Sequence, residues 1–308
     1  MTGAGGFVGR HLRAELAARG HEVIPVDRTA HGEELAVDVT DPLAVRAAFE
    51  LAQPDAIAHL AGQAFVPASI ADPELTFAVN AGGTLNVLEA VRAMAADAGR
   101  FPRLVVVSSA DVYGAQPQAA FPLRESTGPR PANPYAASKV AAEAFTTAYA
   151  RSYGLDAVVT RAFNHIGPGQ DERFAVAGFA AGLVRVERGE TDTLMVGNLA
   201  ASRDFTDVRD VCAAYALLLE GGGTPGTIYN VCSGTATPLR EVLRRLIEAG
   251  RKPVIVREDP ARMRPSDVPV SYGDAAKLHE ATGWTPRITL TAALRAVLDD
   301  ARERAGAA

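Results

Sequence analysis

Lysine and cysteine are scarce in this chain of 308 residues. Three of its 31 basic residues are lysine (Lys139, Lys252 and Lys277) and the other 28 are arginine. Two cysteines, Cys212 and Cys232, are too few for a disulfide framework. They read as buried thiols in a reducing compartment. No run of 18 apolar residues occurs, so no helical membrane span is expected, and no charged leader precedes an apolar stretch. Basic charge is not clustered, and 36 acidic residues bring the net charge to −5, a poor balance for nucleic acid. The six histidines show no ligand spacing with cysteine or carboxylate, so no metal is expected. What remains is an ordinary globular composition, 48% hydrophobic and 22% charged, expected to be soluble and cytoplasmic. The length admits two domains, or one large α/β domain with a smaller appendage.

Short apolar runs alternate with helical patterns up to about residue 163. Strands are predicted at Glu22–Asp27, Leu35–Val39, Ala56–Ala61, Leu104–Ser109 and Ala157–Arg161, with helices near 7–19, 41–52, 74–97 and 134–153. Asp41-Pro42 and Asn133-Pro134 read as N-cap plus proline at the first helical position, and Gly20 and Gly154 as helix ends. Pro25 fits a central strand poorly. Such alternation predicts a doubly wound parallel sheet. Further on, helices are predicted near 172–188, 207–220, 238–249, 274–282 and 290–305, and strands near 193–197, 227–232 and 253–257. The predicted division is 1–165 for the sheet domain and 166–308 for a smaller α+β lobe, with a return to the sheet near 200–232.

Thr2-Gly3-Ala4-Gly5-Gly6-Phe7-Val8-Gly9 has the spacing T-G-x-x-G-x-x-G. Gly3 permits the tight turn, Gly6 lets backbone approach a pyrophosphate, and Gly9 lets the helix pack on the sheet. Phe7 and Val8 open that helix, whose free N–H groups attract an anion. The turn begins at the second residue, where a buried strand normally precedes it, and a misread start codon is the expectation. Asp27 ends the second strand, 21 residues beyond Gly6, where a carboxylate takes ribose hydroxyls. Its charge favours NADH over NADPH, although Arg28 can pair with a 2′-phosphate or stack on adenine. Asp38 and Val39 are candidates for the adenine amino group. Leu60, Ala61 and Gly62 close the fourth strand and are predicted to pass under the cofactor.

Tyr135 and Lys139 stand four residues apart on a predicted helix, hence on one face. A nearby ammonium lowers a phenol pKa, which suits proton exchange with a carbonyl or carbinol. Ser109 ends a strand at the carboxyl edge, where ligands of open α/β sheets bind.

Glycine motif, Ser109 and Tyr-x-x-x-Lys, in this order, resemble the extended short-chain dehydrogenase/reductase family, the NAD-dependent epimerase/dehydratases. The resemblance covers nearly the whole chain, lacking the first strand. It implies a Rossmann fold and hydride transfer between nicotinamide and a sugar carbon, with NAD(P)H as cofactor. Tyr135 would exchange the proton, Lys139 hold the nicotinamide ribose, and Ser109 the reacting oxygen. The segment Ser108-Ser109-Ala110-Asp111-Val112-Tyr113-Gly114 separates the family's activities. Where 4,6-dehydratases carry a glutamate, this chain has Asp111, about 1.5 Å shorter in reach, a misplacement worth on the order of 10²-fold. Asp111 stays a catalytic candidate while counting against a dehydratase. Arg161 to Gln170, Ser202 to Val208 and Asp259 to Asp267 resemble the family's GDP-mannose branch. That implies a GDP-sugar substrate and reduction of the C4 ketone of GDP-4-dehydro-6-deoxy-D-mannose to GDP-D-rhamnose. A 4-epimerase or a 4,6-dehydratase with the same Ser/Tyr/Lys site is the alternative, and a non-catalytic NAD(P)-sensing module a remote one. Ala162 replaces the family's usual proline ahead of Phe163, which is assigned to the nicotinamide.

For the substrate, Arg203 and Arg264 are the candidate diphosphate ligands. Asp267 is placed on the ribose, and Asn164 and Gln63 on the hexose. His165 reads as a loop-capping residue. The helices near 74–97 and 134–153 are apolar around their circumference and are expected to be buried; in the family they form a four-helix bundle across a homodimer axis.

Overall fold

The computed structural model describes residues 1–29, 32, 34–98, 101–262 and 268–306. Arg264 and Asp267 lie outside these. In chain order the first half holds α1 (Phe7–Ala18), β1 (Val26–Asp27), β2 (Leu35–Ala36), α2 (Pro42–Ala52), β3 (Ala56–His59), α3 (Val66–Ala71), α4 (Pro73–Phe77), α5 (Gly83–Ala98), β4 (Arg103–Ser109), α6 (Pro134–Tyr153) and β5 (Ala157–Ala162). The second half holds β6 (Asn164–Ile166), α7 (Ala175–Glu187), β7 (Thr193–Val196), β8 (Ser202–Asp207), α8 (Val208–Leu219), β9 (Ile228–Val231), β10 (Ala236–Pro238), α9 (Leu239–Ala249), β11 (Ile255–Glu258), β12 (Val270–Ser271), α10 (Ala276–Thr282) and α11 (Leu290–Gly306).

The main sheet is parallel. β2 pairs β1, and β3, β4, β5 and β9 follow in that order. Thr2 bridges the two groups, pairing with Val26 on one side and His59 on the other. Its N–H donates to Ala58 O (3.0 Å), and its carbonyl accepts from Leu60 N (3.2 Å). Strand order therefore reverses at Thr2, the switch point where open α/β sheets open a crevice at their carboxyl ends. Behind it, His59 is buried between the Thr2 and Thr84 hydroxyls (2.8 and 3.2 Å). Burial lowers its pKa to about 3, so the ring is neutral.

The predicted caps form. Asp41 accepts from Leu43 N and Ala44 N, Asn133 accepts from Ala136 N, and Gly154 closes α6 in the left-handed region. The predicted strand over residues 22–27 is trimmed to Val26–Asp27; Pro25, lacking an N–H, only lends its carbonyl to Leu35 N.

The helix predicted near 74–97 is in fact α4, one π turn (Ala78–Gly82) and α5. Nor are the helices near 74–97 and 134–153 buried all round. Leu75, Phe77, Phe145 and Tyr153 are exposed, Phe77 by 57% and Tyr153 by 52%.

The second lobe is built on β8, whose first half lies between antiparallel β10 and parallel β12 and whose second half pairs β6. A parallel pair, β7 with β11, lies apart from it. α7, α9 and α11 pack around Leu183, Leu246 and Leu298. α8 and β9 belong to the main sheet, with Val211, Tyr215 and Val231 in the core shared with Leu12 and Val105 of α1 and β4.

Candidate active site

At the switch point the chain turns through Gly3 with φ +70°. A Cβ on Gly3 would stand 2.7 Å from Ala61 N, and one on Gly9 would stand 2.2 Å from Gly3 O. Only glycine allows this approach of helix to turn. Gly6 caps α1 without a side-chain hydrogen bond, so the first-turn N–H groups of the helix point outward unsatisfied by any cap. This is the cradle a pyrophosphate requires. Phe7 lies parallel to the His165 ring (6.0 Å, 9°), and Val8 packs into the core and presents its carbonyl to Cys212. Asp27 accepts from Gly5 N (2.9 Å) and Arg28 N (2.7 Å), placing its carboxylate under the loop. A Cβ on Gly5 would lie 3.3 Å from Asp27 Oδ2 and 3.7 Å from Glu34 Oε2, so two carboxylates approach the same loop position.

The next turn runs between the glycine loop and α6. Ala61 N donates to Thr2 Oγ1 (3.3 Å), and a Cβ on Gly62 would meet Lys139 Nζ at 3.3 Å. Asp38 accepts from Thr40 N and Thr40 Oγ1, which hold its carboxyl below the usual range, and Val39 O accepts from Asn86 Nδ2 (2.9 Å).

Ser109 ends β4, and its hydroxyl lies near the Tyr135 phenol and accepts from Asp111 N (3.1 Å). Asp111 stands in a single 3-10 turn, exposed beside that pair. Burial pushes the phenol pKa up and the Asp111 carboxylate pushes it further, opposed by the Ser109 hydroxyl. This differs from the lowered phenol expected of a Tyr-x-x-x-Lys pair, because the Lys139 ammonium donates to Val107 O (2.8 Å). Burial lowers Lys139 to about 8, against the pull of the Glu143 carboxylate.

Asn80, in the π turn, escapes a reading by periodicity. It is buried, accepts from Gln63 N (2.8 Å), and donates to Gln63 O (3.0 Å) and Ser138 Oγ (2.9 Å). It thereby pins the turn after β3 to the helix that carries Tyr135 and Lys139. A π turn widens the helix locally and is common at functional sites.

A cavity of about 550 Å³ opens between the lobes, lined among others by Asn164, Arg203, Phe65 and Phe174. Asn164, expected on the hexose, and Arg203, expected on the diphosphate, both line it. Gln63 does not line it, and its side-chain nitrogen turns to Phe65 O (3.0 Å). The Phe163 ring packs with Tyr113, Leu123 and Cys232, its N–H donates to Val231 O, and its carbonyl accepts from His165 Nδ1. No group of three or more His, Cys, Asp or Glu side chains among the described residues could hold a metal. No helix among them is long and apolar enough to cross a membrane.

Residues 1–297 match the family described as GDP-mannose 4,6 dehydratase. The chain is 41% identical to GDP-6-deoxy-D-mannose reductase of Pseudomonas aeruginosa, over 99% of this chain and 97% of that protein. It is 32% identical to UDP-glucose 4-epimerase of Mycolicibacterium smegmatis, over 94% of each. Among solved structures, RMD from Pseudomonas aeruginosa complexed with NADPH aligns at TM-score 0.86 and 39% identity, covering 98% of this chain and 97% of that one. UDP-glucose 4-epimerase of Thermus thermophilus complexed with NAD aligns at 0.86 and 35%, with the same coverage. A glycine cradle, a Ser/Tyr/Lys grouping at the switch point and a match over almost the full length lead to one statement: the chain belongs to the GDP-mannose 4,6 dehydratase family.

Proposed function

We propose that the chain is an NAD(P)H-dependent reductase of the C4 ketone of GDP-4-dehydro-6-deoxy-D-mannose, yielding GDP-D-rhamnose. The observation that carries this reading is Ser109 and Tyr135 beside Asp111, a carboxylate one methylene shorter than the glutamate of a dehydratase, which counts against water elimination. The likeness to a GDP-6-deoxy-D-mannose reductase supports the substrate. When bound, the reduced nicotinamide supplies the hydride. Ser109 and Tyr135 hold the ketone oxygen between two hydroxyls. Tyr135, kept protonated by burial, gives its proton to that oxygen as negative charge develops there. Lys139, beside Gly62, would hold the nicotinamide ribose. Arg203 and the N-terminus of α7, which Phe174 leaves without a side-chain cap, suit the diphosphate.

Asp27 favours NADH by repelling a 2′-phosphate, while Glu34 behind it is paired with Arg13 (2.9 Å). The test follows the absorbance of reduced nicotinamide with each cofactor while GDP-4-dehydro-6-deoxy-D-mannose is generated from GDP-mannose. The expected result is substrate-dependent oxidation, faster with NADH at subsaturating cofactor, and a GDP-rhamnose product. No oxidation, with NAD⁺ co-purifying in stoichiometric amount, would move the assignment to a 4-epimerase.

The exposed Phe77, Phe145 and Tyr153 on α4 and α6 support a homodimer through these helices. Light scattering is expected at about twice the 32.2 kDa chain mass; a monomer mass at micromolar concentration overturns the dimer.

A further inference from the structure

Behind the site lies a charged pair that the reaction above does not use. Glu143 follows Lys139 by one helical turn, and both Glu143 and Arg161 are buried. Arg161 Nε donates to Glu143 Oε1 (2.9 Å) and its terminal nitrogen to Oε2 (2.6 Å), while Ser108 Oγ donates to Oε1 (2.6 Å). Arg161 also lies over the Tyr113 ring (4.7 Å), and the Tyr113 hydroxyl donates to Asn230 Oδ1 (2.7 Å). One ionic cluster thus joins β4, α6, β5 and β9. Its members flank the reacting group directly. Ser108 precedes Ser109, and Glu143 shares a helix face with Tyr135 and Lys139. Neither Glu143 nor Arg161 lines the cavity.

We propose that the Glu143–Arg161 pair is a positioning unit that, through Ser108, holds Ser109 beside Tyr135 and, one helical turn along α6, sets the electrostatic field at Lys139. A buried pair costs desolvation that well-packed apolar residues avoid, so stability alone is a weak reason for it here. Burial works against the Lys139 ammonium, and the Glu143 carboxylate opposes that effect. The other groups facing Lys139 give no such help. His59 from β3 is neutral, Asp111 from the turn after β4 raises the pKa of Tyr135, and Arg161, paired with Glu143, is a cation. The proton-transfer role rests on the reductase reading, but the charge on Lys139 can be read without cofactor or substrate.

The scarcity of lysine makes this measurable. Protein labelled with ¹³C at lysine Cε gives three signals, and Lys252→Arg and Lys277→Arg remove two of them, leaving Lys139. In the wild type its titration midpoint is expected at about 8. Glu143→Gln, which leaves Arg161 unpaired, lowers it by about one pH unit or more. The double variant Glu143→Gln/Arg161→Met removes both charges and recovers thermal stability, with a midpoint between those two values. The alkaline limb of kcat shifts with each midpoint. Ser108→Ala keeps both charges and leaves the midpoint in place. A double variant that returns to the wild-type midpoint and pH profile, or a Ser108→Ala shift as large as that of Glu143→Gln, overturns the electrostatic role and leaves the pair purely structural. A normal titration series in a protein without reductase activity would overturn the reductase reading instead.

Discussion

Replacing Tyr135 by phenylalanine lowers kcat about 10²- to 10⁴-fold, the range a positioned proton donor contributes, and leaves the dissociation constant of NADH within about twofold of the wild type, a difference of about 0.4 kcal/mol. The separation follows from where the hydroxyl points. Tyr135 is 8% exposed, so its ring is a packing element that phenylalanine reproduces. Its hydroxyl meets Ser109 at the carboxyl end of β4. The glycine cradle is formed by other segments, Gly3 to Gly9 and the turn after β3. The raised phenol pKa matters to the direction of reaction. A phenol that stays protonated at neutral pH is ready to give a proton to a ketone oxygen being reduced. An enzyme that starts by oxidising a carbinol needs the phenolate. Steady-state kinetics with a cofactor titration by nicotinamide fluorescence checks both halves. Activity within threefold of wild type would remove Tyr135 from the proton path, and a loss confined to KM would make it a binding group.

Much of this arrangement was legible in the residues because it is local. Asn133-Pro134 fixes where α6 starts, and the start fixes that Tyr135 and Lys139 sit in its first two turns on one face. The spacing of Gly3, Gly6 and Gly9 states that the backbone comes close to something, and an added Cβ on Gly3 or Gly9 would strike backbone. What was not legible depends on contacts between distant segments. Asn80 sits in an apolar helical pattern whose only irregularity is Gly82-Gly83, and nothing in periodicity signals a π turn. β8 carries Ser-Arg-Asp-Phe-Thr-Asp, without the alternation of an edge strand, because Asp204 is buried by Ser233 and Gly234 from the loop after β9. Phe163 follows a strand end that points at the cofactor, yet Gly273 leaves a space beneath the ring, and the ring fills it. The phenol pKa was misjudged for a similar reason. Helical spacing puts the ammonium on the same face, but Val107 O captures it, and burial then decides the sign.

Gly9→Ala is expected to weaken NADH at least tenfold and to lower Tm by about 2–5 °C, as an overpacking cost of about 1–3 kcal/mol implies for a chain of this size. One methyl has this reach because of what it meets. Its three nearest atoms are Gly3 O at 2.2 Å, Ala4 O at 2.6 Å and Ala4 C at 2.8 Å. All are backbone of the turn itself, so no side chain can swing aside, and α1 must move away from the sheet. That motion has two consequences with one cause. Leu12 and Leu16 are drawn out of the core they share with Val211 and Tyr215 of α8, which lowers stability. The first-turn N–H groups of α1 leave their positions over the switch point, which removes the anion site. Gly128→Ala is the control, because a Cβ there has nothing within 4 Å and its φ is not positive. It should leave both Tm and cofactor affinity unchanged. Isothermal titration with NADH and a thermal melt of each variant read the two effects separately. If Gly9→Ala melted lower yet bound NADH as the wild type does, the glycine turn would be a packing device only, and the pyrophosphate would have to be held elsewhere along the carboxyl edge of the sheet.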